Sequence, residues 1–248
     1  MSKVMISNVK FDILDLSDVS EIVADQELKA EKKGARICVL NSRVWHLARN
    51  DETYRNLVNS SNVTIADGFP LHKIIESVSG KKLPRVRGID LFQRTLTNNV
   101  TARHLFLGTN ADTLAKLKIR LRKDNMLGDA YEFVPLPYGE VDEIISVDLL
   151  QILRNKNFHF IWISLGAPKQ DYAAAMIQAE VPQANVAGVG LVFDYLAGNV
   201  QQPPKFLTDN GLEWLYRIFT QTRRTKHFIR PFFTMLFFYA LKLGTLSK

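Results

Sequence analysis

Five short segments of this 248-residue chain pair small residues with polar ones in a manner suited to ligand binding. They are Asn41-Ser42, Asp67-Gly68-Phe69-Pro70, Gly108-Thr109-Asn110, Gly166-Ala167-Pro168-Lys169-Gln170 and Gly188-Val189-Gly190. Asp67 follows an apolar run, and Gly68 beside it lets a ligand come close to the backbone. A carboxylate there would take a proton from a sugar hydroxyl as general base. Spacing alone equally suits an N-cap for a helix opening near Pro70. Lys169 and Gln170 open a helical pattern, where N-terminal amides, a cation and an amide side chain would suit a diphosphate. A solvated first turn with Pro168 at its first position fits the same residues. Gly188-Val189-Gly190 is a fragment of the dinucleotide fingerprint, but its third glycine position holds Phe193, so no NAD claim follows.

Positioning these segments requires strands that end where they begin. The β-rich runs are Arg36–Leu40, Val63–Ala66, His104–Gly108, Tyr131–Val134, His159–Leu165 and Ala184–Val189. Several are apolar on both faces, as buried parallel strands are. Helical patterns lie between them near residues 18–33, 43–60, 69–78, 89–99, 111–125, 143–155 and 169–180. The alternation predicts an α/β fold with a doubly wound, mostly parallel sheet. In such a sheet ligands bind beyond the carboxyl ends of the strands, where all five segments fall. Pro203-Pro204 marks the best break, giving residues 1–202 as the catalytic body and 203–248 as an appendage. The appendage pattern is an amphipathic helix near 209–221, a basic stretch, and an aromatic-rich helix near 231–243.

Charge divides at nearly the same place. The net charge is +7, yet all seven excess basic residues lie in 214–248, which holds no acidic residue. The body is therefore neutral, and crowded phenylalanines without interspersed lysines do not make a stacking groove, so nucleic acid is not the expected partner. Nine aromatics and Arg217, Arg223, Arg224 and Arg230 share that tail, which suits a helix lying among anionic headgroups. An ordinary helix packed on the core is the other reading. Its longest uncharged apolar stretch, Pro231 to Leu241, is far short of the ~20 residues a bilayer span needs. The N-terminus carries no signal-peptide pattern, and the one cysteine, Cys38, reads as a small buried hydrophobe in a reducing compartment. A cytoplasmic protein, peripheral on the membrane's inner face, is expected.

Other chemistries lack their residues. There is no Asp-x-Asp triplet, Walker A loop, His-Glu-x-x-His, Cys/His cluster or Gly-x-Ser-x-Gly, and the five histidines are scattered. No metal site is expected.

In order along the chain, these segments resemble the WecG/TagA/CpsF family of bacterial glycosyltransferases. The matching stretches begin with Leu40-Asn41, Ala66-Asp67-Gly68, Leu83 to Leu91 and Leu107-Gly108. They continue with Gly166 to Asp171, Gly188 to Gly198, Pro203-Pro204 and Asn210 to Arg217. The resemblance implies a Rossmann-like, inverting, metal-independent transferase without a cofactor. It would move N-acetylmannosamine, its uronic acid or glucose from a UDP-sugar to a polyprenyl-diphosphate-linked saccharide. It also implies roles for residues. Asp67 would be the base, Arg85 and Gln170 would act beside it, and Asp194 with the Gly188–Gly190 turn would hold uridine. Arg217, Arg223 and Arg224 would close over the diphosphate. Asn41, Gly68, Gly108, Thr109, Gly166, Pro168 and Lys169 complete the expected substrate site, and a homo-oligomer is left open. Many relatives carry threonine two residues before the asparagine matching Asn41; here that residue is Val39.

Overall fold

The computed structural model describes residues 2–24, 33–82, 84–220 and 225–246. It opens with a hairpin, β1 (Lys3–Ile6) and β2 (Val9–Asp12), followed by α1 (Leu16–Ala24). Next come β3 (Arg36–Leu40), α2 (Ser42–Asn50), α3 (Glu52–Asn59), β4 (Val63–Ala66), α4 (Phe69–Ser79) and α5 (Gly88–Asn98). Then follow β5 (His104–Gly108), α6 (Ala111–Lys123), β6 (Tyr131–Val134), α7 (Val141–Ile144) and α8 (Val147–Arg154). β7 (Phe160–Ser164), α9 (Lys169–Glu180), β8 (Asn185–Gly188) and α10 (Val192–Leu196) complete the body. Three helices follow Pro203-Pro204: α11 (Lys205–Asp209), α12 (Glu213–Thr220) and α13 (Thr225–Leu246).

All six expected strands are present and parallel, in the order β4-β3-β8-β7-β5-β6, and helices cover both faces. The fold is the expected Rossmann-like α/β sheet. Alternation within the strands builds its two layers. Phe160 and Trp162 of β7 face Phe92 of α5 and Phe193 of α10, whereas Ile161 and Ile163 face Ile177 of α9. β3 runs on to β4 at one margin and β5 to β6 at the other. The loops after the parallel strands all fall at the carboxyl edge, where sheets of this kind bind ligands.

The N-terminal hairpin is missing from the sequence reading. Its turn places Ser7 at φ 51° and Asn8 at φ 63°, a pair of left-handed residues that matches the twist of a two-residue hairpin. The hairpin shields the open side of β4. Thr64 donates from its amide to Asp12 Oδ2 at 2.8 Å and the Asp12 amide donates to Thr64 Oγ1 at 3.2 Å, satisfying groups that an edge strand would leave bare.

Two predicted helices are each split in two. Asp51 ends α2 with its backbone and caps α3 with its side chain, which accepts the Tyr54 amide at 3.0 Å. Ser146 likewise caps α8 by accepting the Leu149 amide at 3.3 Å, separating it from α7. In both places a capping side chain outcompetes helix continuation.

Cys38 is buried as expected, and its thiol meets a carboxylate. Tyr54 Oη donates to Asp171 Oδ2 at 2.5 Å and Cys38 Sγ donates to Asp171 Oδ1 at 3.7 Å, joining α3 and β3 to the first turn of α9. Burial pushes the Asp171 carboxyl up from 3.8 to about 6, against the hydrogen bonds and the Arg36 charge that favour its ionised form. The folded chain thus holds this proton more tightly than the unfolded chain. The group favours folding below its ordinary value, and that contribution is lost as pH rises to about 6. An Asp171→Asn variant should lose this slope, worth on the order of 3 kcal/mol, in urea titrations between pH 4 and 6.5. An unchanged slope would remove Asp171 from that role.

Candidate active site

Asp67 is placed by the β3–β4 ladder, which continues one residue beyond the strand: its amide donates to Leu40 O at 2.8 Å. The side chain does not cap the helix that follows it. Gly68 occupies the N-cap position of α4 without any side-chain bond, while Asp67 Oδ1 accepts the amide of Gly88, the first residue of α5, at 2.9 Å. The N-cap reading is thus corrected: the carboxylate sits at the N-terminus of the next helix, where the free amides and the helix dipole favour negative charge. Val39, the departure from the threonine of many relatives, is a core residue of β3. A side-chain carbon of Val39 lies 3.1 Å from where a Cβ on Gly88 would stand, so it supports the turn that supplies the amide.

Cations converge on this carboxylate. Arg85 is half-buried, and its Nη1 is buried without a hydrogen-bond partner among the described residues. Arg87, by contrast, is engaged by Asp90 at 2.6 and 2.5 Å. From α12 comes Arg217, whose Nη2 is ion-paired to Glu213 Oε1 one turn earlier and whose Nε is buried without a described partner. Burial, then the charge of Glu213, raise the Asp67 carboxyl above its usual range. They outweigh the Gly88 hydrogen bond and the positive charges of Arg85 and Arg217. Burial alone would lower the Arg217 guanidinium, but the charges of Glu213, Tyr195 and Asp67 carry it above its usual range.

The other expected residues divide. Gln170 is buried and acts as a stitch: its Oε1 accepts Gly166 N at 3.2 Å and Gly190 N at 3.0 Å. A Cβ on Gly188 would stand 2.8 Å from Gln170 Cγ, so this pairing of two loops needs glycine there. Ser164 Oγ tightens the same junction by donating to Gly190 O at 2.6 Å. Gly108 and Thr109 end β5 at φ 115° and 54°; the threonine's left-handed backbone is costly and such residues cluster at functional sites. Asn41 is committed to capping α2, accepting the amides of Arg43 at 3.0 Å and Val44 at 3.1 Å. Pro168 stands at the N-cap of α9, one position earlier than expected. Lys169 Nζ donates to Gly139 O at 2.5 Å and lies 3.3 Å from Glu140, so its ammonium is held by the turn before α7. Asp194 sits half-buried in the first turn of α10. Arg223 and Arg224 lie outside the described residues, as does Leu83.

All these segments follow the carboxyl ends of parallel strands, and α12 brings Glu213 and Arg217 to the Asp67 end. Residues 4–246 match the model of the Glycosyl transferase WecG/TagA/CpsF family. The chain belongs to that family. It is a glycosyltransferase of cell-surface polysaccharide biosynthesis, with a sugar-nucleotide donor and a saccharide acceptor. Glu213, which the sequence offered only within a matching stretch, is the residue that reading missed. Its signal was the four-residue spacing to Arg217, which puts opposite charges on one helix face.

Gly211 fastens this part of the family fold to the Asp67 loop. Its φ is 72°, and a Cβ there would fall 2.3 Å from Phe69 Cδ1. Gly80 has a similar φ of 68° with open space around it. Gly211→Ala should therefore cost about 1–3 kcal/mol more than Gly80→Ala in urea denaturation. It should also speed limited proteolysis beyond Pro204. Equal costs for the two variants would show that the Phe69 contact contributes nothing.

Proposed function

We propose that this glycosyltransferase is inverting and metal-independent. In this reading it moves a sugar of the N-acetylmannosamine, uronic acid or glucose type from UDP to a polyprenyl-diphosphate-linked saccharide at the inner membrane face. The observation that carries the reading is Asp67. A partly buried carboxylate beyond a strand end has its basicity raised and faces two guanidinium groups. One oxygen is held by Gly88 N–H, leaving the other to take the proton of the acceptor hydroxyl. The acceptor oxygen then forms its bond to the anomeric carbon as the bond to the UDP oxygen breaks, and the leaving diphosphate carries away the electron pair. Arg85 and Arg217 meet the negative charge of that step. Arg223 and Arg224 would join them, on the strength of the family resemblance. Thr109, Gly166, Gly190 and Asp194 would line the donor. Asn41 and Gln170 shape the loops around it, and Lys169 would reach a phosphate only by leaving its turn.

The tail supports a membrane setting. α13 packs one side on α2 and α4: Met235 is fully buried, and Phe238 stacks obliquely on Trp45 with centroids 5.6 Å apart. Its other side exposes Phe233, Leu236 and Phe237, with Phe233 edge-on to Trp214 of α12 at 5.6 Å between centroids, and α12 exposes Leu215 and Phe219. The two readings of the tail are thus compatible, since one face serves the core and the other exposes apolar side chains. No helix among the described residues is long and apolar enough to cross a membrane. An apolar strip flanked by basic residues would lie on an anionic surface, each cation near it contributing ~1 kcal/mol.

Screening UDP-sugars for UDP release with a lipid-diphosphate saccharide should find one that turns over equally with and without a chelator. Asp67→Asn should slow that turnover by roughly 10²–10⁴-fold. Retained activity in this variant would remove Asp67 from the base role, and loss of activity in chelator would refute metal independence. Anionic liposomes should pellet the full chain and leave a truncation after Pro204 in solution.

A further inference from the structure

We propose that Glu213 is a positioning residue of this site, holding the Arg217 guanidinium through their ion pair and balancing its positive charge beside Asp67. The inference rests on Asp67 being the base. Glu213 opens α12 two residues after Gly211, the glycine whose contact with Phe69 ties that segment to the Asp67 loop. Its Oε1 pairs with Arg217 Nη2 across one helical turn, and both side chains are about three-quarters buried, with 26% and 25% exposed. A pair so placed is more than a solvated surface pair, whose worth is close to nothing.

The charges around Asp67 show why a second carboxylate belongs there. The segment before α5 brings Arg85 and Arg87, the latter already engaged by Asp90. α5 itself brings the Gly88 amide, and α12 brings Arg217. Each of these favours the ionised, weakly basic form of Asp67. Arginines are nonetheless needed to receive a departing diphosphate. Glu213 resolves the conflict: it leaves Arg217 in place with its Nε unspent, yet offsets the charge that Asp67 feels. The direction of the Asp67 shift agrees, for the Glu213 charge is the largest contribution to it after burial.

The decisive experiment follows the Asp67 carboxyl by carbon NMR in substrate-free protein, assigned by its loss in Asp67→Asn, alongside the pH profile of kcat/KM. In Glu213→Gln the Asp67 midpoint should move to lower pH. The acid limb of kcat/KM should move with it, and plateau kcat should fall by roughly two- to tenfold. Glu213→Asp, which keeps the charge, should restore the limb, and Arg217→Gln should move the midpoint the opposite way. A merely structural Glu213 would lower stability without moving the midpoint. An unmoved midpoint in folded Glu213→Gln would overturn the proposal. Should that variant fail to fold, an unmoved midpoint in Arg217→Gln would overturn it as well. NMR shifts as expected with no UDP-sugar turnover would leave the charge relation standing and refute the transferase chemistry instead.

Discussion

The Gly88 amide donates to Asp67 across 2.9 Å, and most of the site is arranged around that bond. It joins the end of β4 to the start of α5, two elements separated by the whole of α4 and by the segment bearing Arg85 and Arg87. A carboxylate that accepts a helix-terminal amide and faces arginines would ordinarily be a poor base. Burial and the Glu213 charge reverse that tendency. Two guanidinium groups and a carboxylate of raised basicity therefore coexist at one edge of the sheet.

That arrangement depends on the residues beyond the Rossmann-like body. α12 contributes both Glu213 and Arg217, and Gly211 holds its approach against Phe69, the residue two past Asp67. α13 anchors the same unit on the far side through Met235 and the Trp45–Phe238 contact, with Arg49 over both rings at 5.3 and 5.7 Å. One rim of the candidate site is thus built from the segment that also exposes the apolar strip. Docking of that strip on a surface and completion of the site would occur through a single piece of the chain.

The sheet was legible in the sequence because its strands are buried on both faces: Ile37 to Leu40 and Phe160 to Ile163 are continuous apolar runs. Their carboxyl ends located the site segments for the same reason. The hairpin escaped because Ser7-Asn8 lacks a glycine to announce a left-handed turn. The helix divisions escaped because Asp51 and Ser146 read as polar faces of longer helices when only periodicity is considered. Within the site, residue types indicated location better than role. Asn41 caps α2 through the amides of its near neighbours, and Gln170 stitches two loops together, a contact with Gly190 that residue type alone does not announce. The partner of Asp67 was illegible because Gly88 lies 21 residues away and contributes only its backbone. Glu213 escaped for a related cause, since its effect on Asp67 exists only once the fold brings α12 beside the Asp67 loop.

The net charge of +7 also takes on a more specific meaning. The excess lies in a tail whose one described arginine at the site, Arg217, is ion-paired by Glu213, the residue just before that tail. The most direct test of a donor site at this edge is amide hydrogen exchange of the full chain with and without a saturating UDP-sugar. Slower exchange should be confined to the segments after β3, β4, β5, β7 and β8 and to α12. Protection at the opposite, amino-terminal edge of the sheet, or none at α12, would contradict a site assembled between the sheet and the appendage.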